Sequence, residues 1–400
     1  MKNILYLAHR IPYPPNKGDK IRSYHLLKYL SERFRVHLGC FIDDPADRQY
    51  MRTVAALCAS SCFVNRSPLK GRLNSLAGLA SKEALSVTYY RDRRLLRWVK
   101  CLLTSNTISH ALVFSSQMAQ YLAVPEATSL YKLIDFVDVD SEKWNQYATS
   151  KRSPLSFLYR REARRLLDYE REVVQRFDAA TFISAAEAAL FCKRVPMASN
   201  TSFFSNGVDA DYFSPLRTYI NPYSGDSPVV VFIGAMDYWP NIEAAQWFAQ
   251  RVLPSLRILL PGTSFSIVGA RPAPGAVALK RLPGVTVVGA VPDVRPYLAH
   301  AALALAPLRI GRGVQNKVLE AMSMQKTVLA SPAALEGICA EPGKEVLLAR
   351  DESEFVHMAL HALNGNTGAS LGFAARQRIL RDYGWSENLT RLSTLLGLSS

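Results

Sequence analysis

Between Gly311 and Ser331 the chain reads GRGVQNKVLEAMSMQKTVLAS, a glycine-rich turn followed by a helical pattern that carries Asn316, Lys317 and Glu320. Glu320 lies four and three positions beyond Asn316 and Lys317, so all three share one helix face. A helix N-terminus offers N–H groups and partial positive charge, which suits a diphosphate. Lys317 adds a full charge. A carboxylate at Glu320 can grip two ribose hydroxyls, as acidic residues do in dinucleotide sites. An apolar run ending at Leu308 precedes the turn, and TVLAS follows the helix. Strand, glycine loop, helix and strand is a layout for a phosphorylated nucleotide. An ordinary βαβ unit with a surface glutamate is the alternative.

Four further loops carry candidate chemistry. PPNKGDKIR places Asn16, Lys17, Gly18, Asp19 and Lys20 after the first predicted strand, where open α/β sheets bind ligands. Gly18 permits close backbone approach to a phosphate or sugar. DFVDVDSEKW clusters Asp135, Asp138, Asp140 and Glu142. Such carboxylates can hold a divalent metal, orient a sugar or acceptor hydroxyl, act as a base, or cap the next helix. FIGAMDYWPN sets Gly234 after a strand and Asn241 at a helix start, an arrangement suited to a diphosphate. VVGAVPDVRPYL presents Gly289, Val291 and Asp293 in a small-residue loop that can meet a nucleobase edge. The chain has no GxxxxGK[ST], CxxC or HExxH, and its seven histidines are scattered. A bare G-x-S-x-G occurs once, GASLG at 368–372, with no strand-like apolar run leading into it, as a hydrolase elbow requires. P-loop and zinc-enzyme readings lack their signatures.

The elements that must position these residues alternate. KNILYLAH, then a Pro/Gly loop, the amphipathic SYHLLKYLSERF and the strand-like RVHLGCFI make a βαβ unit, hence a parallel sheet. HALVFSS, SLYKLIDF and AATFIS continue the strands, with a long helix near 154–177. A second series follows residue 228: VVVFIGA, the helical NIEAAQWFAQRVLPSLRI, SFSIVGA, VTVVGAV, ALALAPL, TVLAS and EVLLA. Apolar runs without clean alternation are buried on both faces, as in doubly wound sheets. The expected divisions are a first domain over 1–215, a linker over 216–228, a second domain over 229–382, and a last helix within 383–400 packing back on the first.

The composition, 49% apolar and 20% charged, is that of a globular protein with large cores. The six cysteines form no metal or disulfide pattern, and the reading is reduced thiols in the cytoplasm. The opening MKNILYLAHR is too short in apolar residues for a signal peptide, and no stretch is long enough to span a membrane. The net charge is +15, and residues 1–215 hold 31 Lys and Arg against 20 Asp and Glu. The excess sits in 66–100 and 151–176, where Arg interleaves with Leu, Trp, Tyr and Phe. Such stretches suit an anionic membrane surface or nucleic acid, or are simply solvated helix faces. The expected partner of these stretches is an anionic membrane surface, with no nucleic acid.

In order and spacing, FIGAMDYWPNIEAAQWF, VVGAVPDVRPYLAHAALALAPL and NKVLEAMSMQKTVLAS resemble the donor domain of glycosyltransferase family 4, retaining enzymes of the GT-B fold. NGVDADYFSP resembles that family's segment before the linker. HRIPYPPNKGDKIRSYHLLKYLSERFRV, DFVDVDSEKW and YGWSENLTRL are more specifically similar to sugar transferases associated with exosortase/PEP-CTERM exopolysaccharide loci. The resemblance implies an α/β chain of two Rossmann-like, doubly wound parallel-sheet domains facing a central cleft. It implies a nucleotide diphosphate-sugar donor, UDP or GDP, in the second domain. A glycan or polyprenyl-linked oligosaccharide acceptor would lie on the first, with no cofactor or metal.

Carried over by position, Glu320 holds the ribose, Gly234 lies near the diphosphate and Val291 meets the base. The family's Glu-x7-Glu pattern has Arg312 where its first glutamate stands, and Asn241 occupies the region that often supplies a basic group. Lys317, Arg309 or Arg312, with the helix dipole after Gly313, would balance the departing diphosphate. The expected donor set is Gly18, Gly234, Asn241, Val291, Arg309, Gly311, Gly313, Val314, Asn316, Lys317 and Glu320. Asn16, Lys17 and Asp19 would contact the acceptor. Asp135, Asp138, Lys317 and Arg312 are the catalytic candidates. A binding protein of the same fold without turnover is the principal alternative. A Rossmann oxidoreductase is disfavoured because no GxGxxG follows the first strand.

Overall fold

A computed structural model of the chain describes residues 1–67, 71, 75, 78–79, 81–105, 107–150, 155–365 and 367–397. Parts of the two basic stretches, 68–70, 72–74, 76–77, 80 and 151–154, lie outside the described residues, as do 398–400 of the segment expected to hold the last helix. The chain forms two compact units, Met1–Ser205 with Leu389–Ser400, and Asn206–Asn388.

The first unit is built on seven parallel strands: β1 (Asn3–Ala8), β2 (Arg35–Ile42), β3 (Ser60–Asn65), β4 (Ile108–Phe114), β5 (Tyr131–Val137), β6 (Ala179–Phe182) and β7 (Thr201–Phe203), in the order β3-β2-β1-β4-β5-β6-β7. Ile4 to Ala8 are each 0% exposed, so both faces of the interior strand β1 are covered, as a parallel sheet requires. β3 and β7 are additions to the sequence reading. Polar residues dilute their apolar signal (SSCFVN and TSF), and both lie toward the edges of the sheet. The helix Gly18–Ser31 starts five residues before the apolar pattern that announced it, with Asp19 in its first turn. The expected long helix is Leu155–Arg176.

Several charges are buried inside this unit, each with partners. Arg22 and Asp135 are 0% exposed and paired in a fork, Nε to Oδ2 at 2.6 Å and Nη2 to Oδ1 at 3.1 Å. Glu162 takes the backbone N–H groups of Leu85 and Ser86. Glu170 accepts from the N–H of Ser141 at 3.2 Å and bonds its hydroxyl at 2.5 Å. Burial pushes Glu170 up to about 8; Asp140 pushes the same way, while the Ser141 bonds pull it down.

A carboxyl whose pKa rises on folding keeps its proton folded after losing it unfolded. Stability therefore falls as pH rises from the ordinary value of 4.5 to about 8. Glu170→Gln, which keeps a donor and an acceptor toward Ser141, should gain in Tm over the wild type across that window. A difference that stays flat between these two pH values would contradict the buried-acid account.

The second unit is a six-stranded parallel sheet, β8 (Val229–Ile233), β9 (Ser264–Val268), β10 (Val285–Gly289), β11 (Leu303–Ala306), β12 (Val328–Ala330) and β13 (Leu347–Leu348), in the order β10-β9-β8-β11-β12-β13. The pattern NIEAAQWFAQRVLPSLRI, expected as one helix, is divided. Helices Trp239–Trp247 and Leu253–Leu259 flank a π turn at Phe248–Val252. Pro254 has no N–H to give the turn before it, which accounts for the break. At the C-terminal ends of β8, β9 and β10 the loops are tied by backbone bonds, Met236 N–H to Ala270 O, Ala273 N–H to Met236 O and Gly269 N–H to Gly289 O, each 2.9 Å. A Cβ on Gly269 would stand 1.7 Å from Gly234 O, so only glycine lets the two loops approach. Among the described residues, no helix is long and apolar enough to cross a membrane.

Candidate functional site

In the second unit, the β8 loop and the helix Asn316–Ser323 meet at Lys317. Its Nζ donates to Asn241 Oδ1 at 2.5 Å and lies 4.6 Å from the centre of the Phe232 ring. Asn241 is 6% exposed, and its Nδ2 donates to Ala235 O at 3.0 Å. Asn241 thus ties the loop to the lysine, a positioning task that differs from the direct diphosphate contact the sequence suggested. Gly234 has no room for a side chain here, since a Cβ would lie 2.7 Å from Asn241 Nδ2 and 3.1 Å from Lys317 Nζ. The lysine is held over the end of the strand by sequence features 76 residues apart.

Glu320 follows one turn along the same helix. Both side chains keep partial solvent access. Burial pulls Lys317 down to about 7, against the attraction of Glu320. Burial likewise pushes Glu320 up to about 7, against the attraction of Lys317. A desolvated cation beside a helix N-terminus is a strong partner for an anion that enters, because the protein has already shed the water. No side chain caps the first turn of this helix.

Asn316, at the head of the helix, accepts at Oδ1 from Asn206 Nδ2 at 2.8 Å, while its own Nδ2 is buried without a partner. An unpaired buried donor is costly in a folded protein and is a candidate ligand contact. Asn206 was not among the sequence candidates. Its signal was the Asn-Gly step of NGVDADYF: a Cβ on Gly207 would lie 2.7 Å from the Trp385 backbone N. Phe232, under the lysine, was also missed, because it reads as an ordinary strand residue.

The other donor candidates occupy neighbouring loops. Gly313 has φ of +66°, and the backbone of Gly313 and Val314 is approached so closely by Gly337 that a Cβ there would lie 2.7 Å from the Gly313 carbonyl. Gly311 stands against Ala333 O, and Val314 is buried. Arg309 pairs with Glu243 at 3.0 Å, a carboxylate whose second oxygen is buried and unpaired. Arg312 is half-buried and engaged with the protein. Val291 lies half-buried in the loop after β10, two residues before the Asp293–Arg295 ion pair at 2.7 Å.

The first-unit candidates separate into different roles. Asp135, expected to orient a hydroxyl, is fully buried with both oxygens taken by Arg22 and one shared with Thr181 Oγ1 at 3.1 Å. That geometry gives it a structural task. Asp138 is half-buried with one oxygen shut off from solvent. Asp140 accepts from Gln117 at 3.0 Å, and Glu142 from Arg194 at 2.7 Å. Among the described residues, no three His, Cys, Asp or Glu side chains gather where a metal ion could sit.

Asn16 and Gly18 are exposed, and Lys17 precedes the helix as its N-cap. Asp19 accepts from Arg10 at 2.8 Å and contacts His9 Nε2 at 3.3 Å. Burial opposes its charge, but the bonds from His9 and Arg10 hold it well below the usual carboxylate range. His9, stacked on Phe114 with its Nδ1 buried and unpartnered, was not a sequence candidate.

Residues 227–364 match the family model described as "Glycosyl transferases group 1". No curated protein matches the chain in sequence. Among solved structures, sucrose-phosphate synthase from Thermosynechococcus elongatus is similar with a TM-score of 0.75 at 15% identity, over 99% of this chain and 98% of that one. Anabaena HepE in complex with UDP-glucose gives 0.69 at 14%, over 99% and 100%. TarM of S. aureus, as a mutant in complex with Fondaparinux, alpha-GlcNAc-glycerol and UDP, gives 0.66 at 11%, over 99% and 99%. The fold, two parallel-sheet α/β domains, is GT-B.

Proposed function

We propose that the chain is a glycosyltransferase that moves a sugar from a nucleoside diphosphate, UDP first among them, onto a glycan acceptor. The observation that carries the reading is the half-buried Lys317, anchored to Asn241 beside Gly234 and one turn from Glu320. Departure of the diphosphate develops negative charge, which Lys317 and the helix N-terminus are placed to balance. Glu320 would hold the ribose hydroxyls as a carboxylate. The family match over 227–364, and the UDP and UDP-glucose named for structures of the same fold, support this assignment.

The finer reading has four parts. Transfer proceeds with retention and without a metal. The acceptor is a polyprenyl-linked oligosaccharide in exopolysaccharide synthesis of the exosortase-associated kind. The chain works in the cytoplasm at the inner membrane face. Phe157, 75% exposed, and Leu155, 53% exposed, open the Arg-rich helix Leu155–Arg176 and are the apolar residues that motivate membrane contact.

The test is incubation with UDP-sugars and a lipid-linked glycan extract, reading released UDP and the anomeric configuration of the product. Acceptor-dependent UDP release is the expected result. UDP binding with no release under any acceptor would favour the binding-protein alternative.

A further inference from the structure

Beside the β1 loop, three tyrosines gather that no part of the donor chemistry uses. Tyr13 lies 5.2 Å from Tyr50 and 5.4 Å from Tyr24, ring centre to ring centre. Tyr24 belongs to the helix Gly18–Ser31, and Tyr50 ends the short 3-10 helix Pro45–Tyr50. A buried ion pair holds those two elements together, Lys20 Nζ to Asp47 Oδ2 at 2.6 Å, with Lys20 only 2% exposed. The pair ties together the two elements that carry Tyr24 and Tyr50, and Tyr13 packs between their rings. All three are half-buried. Their hydroxyls bond to no protein group among the described residues and are open to solvent. Burial and the neighbouring Tyr13 raise the Tyr24 hydroxyl above its ordinary value, in keeping with two phenols set close together.

We propose that Tyr13, Tyr24 and Tyr50, with the exposed Asn16 three residues on from Tyr13, form a platform for a pyranose ring of the acceptor glycan. This deepens the glycosyltransferase reading and rests on it. A pyranose has an apolar C–H face and a hydroxyl-bearing edge. An aromatic ring with a polar tip matches both at once. Rings serving only as core would bury their hydroxyls with partners, and a lipid-inserting patch would present aliphatic tips rather than three wet phenols. The platform stands at the C-terminal ends of β1 and β2, the ligand edge of an open α/β sheet. Tyr13, Tyr24 and Tyr50 have no common spacing in the sequence and come together only in the fold.

The experiment is saturation-transfer NMR of the full chain with maltotriose, cellotriose and chitotriose, alongside flotation with phosphatidylglycerol vesicles. The variants are Tyr24→Ala, Tyr50→Ala, Tyr24→Phe and Tyr50→Phe. The wild type should bind at least one trisaccharide. Each alanine variant should bind it about tenfold more weakly, and each phenylalanine variant, which keeps the ring face, should stay closer to wild type. The thermal shift with UDP reports on the second unit and should be unchanged in all four variants. Its loss in the wild type would sink the donor reading instead, so the two failures are distinguishable. If none of the three sugars receives saturation, or alanine variants bind it as wild type does, the platform proposal is overturned. Vesicle binding that disappears in the alanine variants while the sugars stay silent overturns it in favour of a lipid surface.

Discussion

Lys317→Met should lower transfer by about 10³-fold, some 4 kcal/mol of transition-state stabilisation, with little loss of fold. The two halves of this expectation have one cause. Burial pulls the lysine down to about 7, so the folded protein is penalised for holding it charged. A lysine depressed on folding costs stability below its ordinary pKa of 10.5, and the cost deepens as pH falls towards about 7. Removing the amine removes that cost, and methionine fills a similar volume beside Phe232. Asn241 Oδ1 loses its donor, which offsets part of the gain. Tm should therefore stay near the wild-type value while UDP release collapses. The measurements are steady-state rates with saturating UDP-sugar and a thermal melt at the same pH. Full activity in a folded Lys317→Met protein would remove the electrostatic centre of the proposal.

Asp135→Ala should destabilise the first unit by about 3–5 kcal/mol, because it strands the fully buried Arg22 without its fork partner. Arg22 retains Phe204 O at 3.1 Å and the face of the Phe204 ring at 3.8 Å, neither of which neutralises it. Asp135→Asn, which keeps one acceptor oxygen, should cost less. Any molecules of either variant that remain folded should turn over at the wild-type rate, since no oxygen of Asp135 faces solvent. Urea unfolding together with activity per folded molecule separates the cases. Unchanged stability with lost activity would return Asp135 to the catalytic role that its DFVDVD setting suggested.

The order of strands and helices was legible because burial on both faces writes long apolar runs, as in KNILYLAH and VVVFIGA. The polar edge strand β3 and the short β7 write no such run. Helix spacing in GRGVQNKVLEAM places Lys317 and Glu320 on one face, and both lie on the helix Asn316–Ser323 as that spacing expects. What local sequence could not show was how distant residues meet. Asn241 reads as a diphosphate contact beside its helix start, yet it is committed to Lys317. Asp135 reads as one of four clustered carboxylates, yet its partner Arg22 lies 113 residues earlier. Asn206 has only the Asn-Gly step to mark it, and its bond to Asn316 shows only in three dimensions, as does the unpartnered Nδ1 of His9.

Calorimetric titration of UDP, GDP, ADP, CMP and NADH into the full chain at about pH 8, in two buffers of different ionisation enthalpy, tests the central claim most directly. The account predicts one-site binding of a nucleoside diphosphate, UDP before the others. An incoming diphosphate should recharge Lys317, so binding should take up protons from the buffer, and Lys317→Met should abolish that uptake. No heat from any diphosphate, or binding whose proton uptake survives in Lys317→Met, would contradict it.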